Sequence, residues 1–312
     1  MRILLTGASG AIGAELAPGL ARAGHDVRAF ARDPARVTAP GIAEVVRGDV
    51  LAGAGLDEAL RDVDAAYYLI HSMEAASPAA GSFAARERGS AERFAEAASR
   101  ARLRRLVYLG GPVPRDGGRP SEHLASRLAV EEVLLAAAPE SVALRASIVI
   151  GAASRSFRFL VRLVERVPVM PLPTWRSNRT QPIDVRDVLA YLVAAGTSDA
   201  VPAGGGLSLD VAGPEVVTYG GLVDRIRAAM LVGRPRLELP FALTPVASVV
   251  AAAIAGEDHA LIGPLMEGLS TDLLPRDDRA RDVFGGVRLH GLDAAIEHAL
   301  GRWERAEPLR AR

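Results

Sequence analysis

Three glycines near the amino terminus, Gly7, Gly10 and Gly13, stand between a short apolar run and a helix-forming run, and that placement constrains the fold more than any other stretch. Residues 3–5 are continuously apolar, as in a strand buried on both faces, and residues 14–23 suit a helix that closes at Gly24. Gly7 allows a sharp turn off the strand, and Gly10 keeps side chains away from backbone N–H groups that would meet a pyrophosphate. Gly13 lets the helix lie close to the sheet. The helix N-terminus adds unpaired donors and a positive dipole. The spacing predicts a dinucleotide-binding turn formed by Thr6, Gly7, Ser9, Gly10, Ala11, Ile12 and Gly13. A turn of the same shape without a ligand is the alternative.

The second strand, expected over residues 25–30, runs into Ala31-Arg32-Asp33-Pro34. A carboxylate at this strand end would hold a ribose 2′-hydroxyl, as in an NAD site. Arg32 stands there instead, with Arg36 a turn further on, and a guanidinium fork suits a 2′-phosphate. The pattern predicts NADP, with NAD as the alternative. Asp33 comes one residue late and is placed to cap a short helix opened by Pro34. Arg32 could also be a solvated charge at a strand end.

Further strands are expected at residues 43–47, 65–70, 106–109, 141–150 and 207–211, with helices at 83–101, 122–137 and 185–195. Such alternation predicts an α/β fold with a doubly wound parallel sheet of the Rossmann type. Ligands in these sheets bind at the carboxyl ends of the strands. That rule gathers the glycine turn, Arg32, Asp49, Ile70, His71, Met73, Gly110 and Ala146 around one cleft, with Asp49 placed to meet an adenine amino group.

Composition narrows the chemistry. At 312 residues and 49% hydrophobic, the chain can bury a large core. Its formal net charge is zero, so a general attraction for nucleic acid is not expected. No cysteine is present, which removes disulfides, thiolate metal sites and a cysteine nucleophile. All 37 basic residues are arginine, so neither a Schiff base nor lysine-assisted proton transfer is available. No metal-ligand spacing occurs. The chain enters its first strand at once, and a cytoplasmic location is the expectation. Residues 239–256 carry no charge, but Pro240 and Pro245 interrupt them, and the remainder is too short for a bilayer of about 30 Å. No integral membrane span is expected. Core or lid packing is the favoured role, with a greasy substrate channel, a homodimer face or peripheral membrane contact as alternatives.

Four motifs, Thr6-Gly-Ala-Ser-Gly-Ala-Ile-Gly13, Arg104-Arg-Leu-Val-Tyr-Leu-Gly-Gly111, Leu144-Arg-Ala-Ser-Ile-Val-Ile-Gly151 and Gln181-Pro-Ile-Asp-Val-Arg-Asp-Val188, resemble an extended or atypical short-chain dehydrogenase/reductase, of the NmrA-like or epimerase-like kind. Tyr68-Leu-Ile-His-Ser-Met73, Trp175-Arg-Ser-Asn-Arg-Thr180 and Gly268-Leu-Ser-Thr-Asp-Leu-Leu274 resemble one branch of it. The resemblance implies a nucleotide-binding core over residues 1–151, completed by 183–212. It also implies a smaller, mainly helical carboxyl-terminal lobe from 152–182 and 213–312, covering a small-molecule substrate.

The resemblance further implies a Tyr and, four residues later, a Lys on one helix, with a Ser or Thr at the end of the fifth strand. In this chain the corresponding positions fall on His123, Arg127 and Gly110 or Gly111. His123 is then a replacement acid/base, suited to neutral pH by an unperturbed pKa near 6.5, and Arg127 holds the cofactor ribose. In the other reading both are exposed helix residues, and Glu131 pairs with Arg127 one turn away. His71 is a second polar candidate, as a catalytic or cofactor residue. The expected chemistry is hydride transfer between NADP(H) and a small carbonyl or conjugated substrate. A non-catalytic redox sensor or scaffold, and an epimerase or dehydratase, are the alternatives. The proline-rich stretch 168–182 is read as a stiff lid that holds Trp175, Arg176, Asn178 and Arg179 over the substrate, the arginines suiting an anion. A rigid surface crossover with a core tryptophan is the alternative.

Overall fold

The computed structural model of the protein describes residues 1–70, 82–113, 121–238 and 268–309. Seven strands form one parallel sheet: β1 (Arg2–Thr6), β2 (Asp26–Ala31), β3 (Ile42–Arg47), β4 (Ala65–Tyr68), β5 (Arg105–Gly110), β6 (Glu140–Ala146) and, later in the chain, Leu207–Val211. Between them in sequence lie α1 (Gly13–Arg22), α2 (Leu56–Ala59), α3 (Phe83–Arg100) and α4 (Glu122–Leu135). The short strands β7 (Val149–Ile150), β8 (Met170–Leu172), β9 (Arg179–Thr180) and β10 (Ile183–Asp184) follow, so Leu207–Val211 is β11. The spatial order is β11-β6-β5-β4-β1-β2-β3, so the winding reverses between β1 and β4. Alternate residues of each strand face opposite layers. Ile3, Leu5, Val27, Ala29 and Tyr67 pack with α1 and with α6 (Val185–Thr197). Leu4, Phe30, Ala66, Tyr68 and Tyr108 pack with α2, α3 and α4.

A separate apolar cluster lies outside the sheet. It is built by α5 (Arg155–Arg166), β8, α7 (Tyr219–Ala229) and a final helix at Leu292–Glu304. Helix α5 buries Phe157, Leu160, Val161 and Val164, while Trp303 is closed over by Arg158 and Arg162 at 4.2 and 4.9 Å. Strands β12 (Val217–Thr218) and β13 (Arg236–Glu238) pair with β9 and β8. Between these elements and the last helix, numbered α9, the chain returns to the sheet. There α8 (Arg279–Val283) is followed by Phe284, and Ala280 and Phe284 join the layer of α1 and α6.

Two sequence expectations change. The sixth strand, expected over 141–150, is two strands. The break is at Ser147, whose hydroxyl donates to the Gln181 carbonyl at 3.0 Å, and β7 then pairs with β10 instead of continuing the main sheet. The fourth strand ends at Tyr68 rather than Ile70. The capping role expected of Asp33 holds: its carboxylate accepts from Ala35 N at 3.1 Å.

Candidate cofactor and active site

The glycine turn has the shape that its spacing predicts. Gly7 adopts φ +71°, and a Cβ there would lie 2.7 Å from the Leu69 carbonyl oxygen. A Cβ on Gly13 would lie 2.2 Å from the Gly7 oxygen, so only glycine lets α1 begin against the turn. Gly10 N donates back to Gly7 O at 2.9 Å. Ser9 and Gly10 are exposed, while Ala11 and Ile12 are half-buried at the head of α1. Thr6 does not reach this opening. It is completely buried, donating to Tyr67 O at 2.9 Å and accepting from Leu69 N at 3.1 Å, and so it ties β1 to β4. Its hydroxyl is committed to this strand-to-strand tie.

Register fixes the next part of the cleft. Thr6 pairs with Phe30 and Ala31 with Arg47, so the ends of β1, β2 and β3 lie side by side. Arg32 and Arg36 are both exposed just beyond β2. Gly48 N donates to Ala31 O at 3.0 Å, and a Cβ on Gly48 would collide with the Phe30 ring at 2.3 Å. Asp49 is half-buried there, and one of its oxygens accepts from Leu51 N at 2.9 Å, leaving the other outside this turn bond. Ile70 is half-buried past the end of β4. His71 and Met73 lie outside the described residues.

On the other side of the winding reversal, α4 starts at the carboxyl edge because it runs back along the sheet from β5. Ser121 caps it, accepting from Leu124 N at 3.3 Å. Arg127 reaches the strand end, where its guanidinium donates to the Leu109 carbonyl and lies 5.6 Å from the centre of the Tyr108 ring. Gly110 and Gly111 make room for this. A Cβ on Gly111 would approach Arg127 Cδ to 3.4 Å, and one on Gly110 would meet Tyr108 at 3.0 Å. His123, one turn earlier, is half-buried, with its ring 6.1 Å from that of Phe83 at the start of α3. Burial pushes the Tyr108 phenol up to about 12 against the opposing pull of Arg127. Tyr67 and Tyr68 are raised further by the same cause.

Glu131 does not pair with Arg127. It faces inward from α4 and binds Arg145 of β6 through both oxygens, at 2.5 to 3.0 Å, while Ser208 of β11 donates to it at 2.6 Å. Arg145 lies 3.8 Å from Asp210, which in turn holds Arg276. The i, i+4 spacing was a valid surface rule applied to a residue on the buried face.

The stretch expected to be a lid is tied down. Trp175 packs edge-on to Tyr219 at 6.4 Å in the outer apolar cluster, and its indole N–H is buried without an acceptor. Asn178 donates to Leu269 O at 2.7 Å, and Tyr219 N donates to Asn178 O at 2.9 Å. Arg179 is bound by Asp272 through its backbone N–H at 2.6 Å and its Nε at 2.9 Å. These N–H groups of Arg179 hold the Asp272 carboxyl below its ordinary range. Arg176 is half-buried, and its backbone carbonyl lies 3.1 Å from where a Cβ on Gly220 would sit. Arg179 is thus paired with Asp272, and Asn178 is tied to Leu269.

Comparison with known proteins agrees with this geometry. Residues 7–147 match the family model for NAD(P)H-binding domains. Over 98% of this chain and 99% of its own, the solved structure of MoeE5 in complex with UDP-glucose and NAD superposes with a TM-score of 0.70 at 21% identity, a likeness of fold. The match and the superposition give residues 7–147 as an NAD(P)H-binding domain of Rossmann fold. Two curated relatives match the chain over part of its length. One is the (4-alkanoyl-5-oxo-2,5-dihydrofuran-3-yl)methyl phosphate reductase of Streptomyces griseus, 42% identical over 108 residues, or 34% of this chain. The other is subunit 9 of the mitochondrial NADH dehydrogenase [ubiquinone] 1 alpha subcomplex of Arabidopsis thaliana, 33% identical over 134 residues, or 43% of this chain. The matches span about a third of each curated relative.

Three carboxylates that hold arginines in place were not legible in the sequence. Glu131 reads as a surface partner for Arg127, yet nothing local shows that it faces β6. Asp210 and Asp272 answer arginines 66 and 93 residues away in sequence, and no spacing rule reaches so far. Among the described residues no helix is long and apolar enough to cross a membrane, and no cluster of metal-ligating side chains occurs. The uncharged stretch 239–256 lies outside the described residues.

Proposed function

We propose that the protein is an NADP-dependent oxidoreductase acting on a small carbonyl or conjugated substrate, without the usual tyrosine and lysine. The observation that carries the cofactor half is the glycine turn, where a Cβ on Gly7 would meet the Leu69 carbonyl and one on Gly13 the Gly7 carbonyl, so that only glycines let the strand end and the head of α1 close into a turn suited to a pyrophosphate. Arg32, with Arg36, would meet the 2′-phosphate, and the free oxygen of Asp49 the adenine. When bound, NADPH supplies the hydride. His123 would give the proton to the substrate oxygen, and Arg127, one turn later on α4, holds the end of β5 through the Leu109 carbonyl. An arginine stays protonated at any working pH, so Arg127 orients and does not shuttle protons. The outer apolar cluster, built from residues 155–172, 219–230 and 292–309, would cover the substrate. The relative named as a reductase of a 5-oxo-2,5-dihydrofuran methyl phosphate, matched over 34% of this chain, supports a conjugated substrate.

The bond from Arg127 to Leu109 favours one other reading. A guanidinium already engaged by the backbone suits a protein that binds NAD(P)H without turnover. One set of measurements addresses both. Isothermal titration should give tighter binding of NADPH than of NADH. Arg32→Ala should weaken NADPH by about 1.5–3 kcal/mol and NADH little. Equal wild-type affinities would remove the NADP assignment. NADPH oxidation is then screened against quinones, aldehydes and enones. Turnover that His123→Ala leaves intact removes His123 from the chemistry, and a silent screen with tight NADPH binding favours the second reading.

A further inference from the structure

Helix α1 carries an anion of its own at the end suited to the pyrophosphate. Ile12, at its cap position, has no side-chain acceptor, so its own side chain does not close the positive end of the helix. Glu15 is the acidic residue of the first turn, and its backbone N–H donates to Ile12 O at 3.2 Å, which sets it within one turn of Ala11 and Ile12. A carboxylate there is by itself a favourable partner for the helix dipole. A pyrophosphate brings two negative charges to the same end, and an unanswered carboxylate so close would repel it. Arg302 answers Glu15 from the other end of the chain, its Nη1 donating to Glu15 Oε2 at 2.5 Å. The Glu15 side chain is only 16% exposed, so water alone screens it little. Arg302 is carried by α9, whose Ala299, Leu300 and Trp303 are buried in the outer apolar cluster, with Arg158 and Arg162 of α5 over the Trp303 ring. The guanidinium is therefore delivered by the outer cluster and not by the sheet. A neighbouring cation is already committed: Arg186 of α6 is held by Asp184 at 2.5 to 3.1 Å. His298, one turn before Arg302, has its pKa lowered by burial and then by Arg186, so it brings no charge at neutral pH.

We propose that Arg302 completes the cofactor site from the final helix: by neutralising Glu15 it keeps the head of α1 open to the pyrophosphate. This inference rests on the reading of the glycine turn as the cofactor site. Arg302 acts through Glu15, so it is a positioning residue that sets the charge beside the phosphates and makes none of the contacts to them. The pairing also ties cofactor affinity to the seating of α9 on α1. By linkage, a bound dinucleotide then strengthens the hold of the outer cluster on the sheet.

The test is a titration of NADPH and of NADH into wild type, Arg302→Gln, Glu15→Gln and the double variant, with thermal melts to confirm that each is folded. The series is read with whichever nucleotide wild type binds more tightly, so it does not depend on the role of Arg32. At low salt Arg302→Gln should weaken binding on the order of five- to tenfold, the effect of one unanswered carboxylate near the phosphates. Glu15→Gln should bind as well as wild type or better. The double variant should return to within about twofold of wild type, because the repelling charge has gone with its partner. The deficit of Arg302→Gln should shrink in molar salt. A pair that serves only to hold two helices together predicts another pattern, in which the double variant binds no better than Arg302→Gln and salt changes nothing. That pattern would overturn the proposal, as would an Arg302→Gln protein of wild-type affinity. A wild type that binds neither nucleotide would remove the cofactor reading and this inference with it, whereas binding that ignores all three variants would remove this inference alone.

Discussion

Replacing Gly13 with alanine probes the link from sequence to cofactor most directly. The added Cβ would lie 2.2 Å from Gly7 O, 2.8 Å from Gly7 C and 3.0 Å from Ala8 Cα. All three are backbone atoms, so no side chain can swing aside. Ordinary carbon contacts begin near 3.5 Å, so the turn and the head of α1 must separate by about 1 Å. Overpacking of this kind costs about 1–3 kcal/mol, set against a gain of up to about 1 kcal/mol from removing a helical glycine. The separation also pulls Gly7 O from Gly10 N, now 2.9 Å apart, and moves the N–H groups meant for the pyrophosphate. Losing one such charge-assisted bond weakens NADPH by about 1.5–3 kcal/mol, roughly 10- to 100-fold. Gly19 in the same helix is the control, since a Cβ there meets nothing within 4 Å. Gly19→Ala should stabilise by about 0.5–1 kcal/mol and leave binding alone. Thermal melts and isothermal titration of the two variants supply the readout. A Gly13→Ala protein with wild-type melting and wild-type NADPH affinity would refute the reasoning.

Two further outcomes follow from the contacts above. Burial, aided by Arg186, lowers the His298 pKa below its ordinary 6.5, so the unfolded chain binds its proton first on acidification. Its contribution is therefore complete above pH 6.5 and is lost as the pH falls through the folded value. His298→Gln should flatten the fall in melting temperature between neutral pH and pH 5, and an unchanged slope would reject this cause. Limited trypsin digestion addresses the expected lid: with Arg179 held by Asp272 and β9 paired to β12, cleavage after Arg179 should be slow and nearly insensitive to NADPH. A marked slowing on cofactor addition would restore the lid.

The fold's nucleotide half was legible because local rules govern it. The glycine spacing, the apolar run at residues 3–5 and the strand–helix alternation each act over a few residues. Together they specify a parallel sheet and one edge for ligands. Arg32 and the Asp33 cap were legible for the same reason, being defined by where a strand stops. The failures share a different cause. Glu131 lies four residues from Arg127 and could have paired with it on an open helix face, but α4 packs on β6, and the buried Arg145 takes the carboxylate instead. Thr6 reads as part of a phosphate turn, yet the approach of β4 turns its hydroxyl inward. Arg179 reads as a free cation until the chain returns 93 residues later with Asp272. Sequence determined which backbone would meet a phosphate, since glycine acts through what it lacks. Only the tertiary structure decided which charges stay available, because a charge is cancelled by whatever the fold brings beside it.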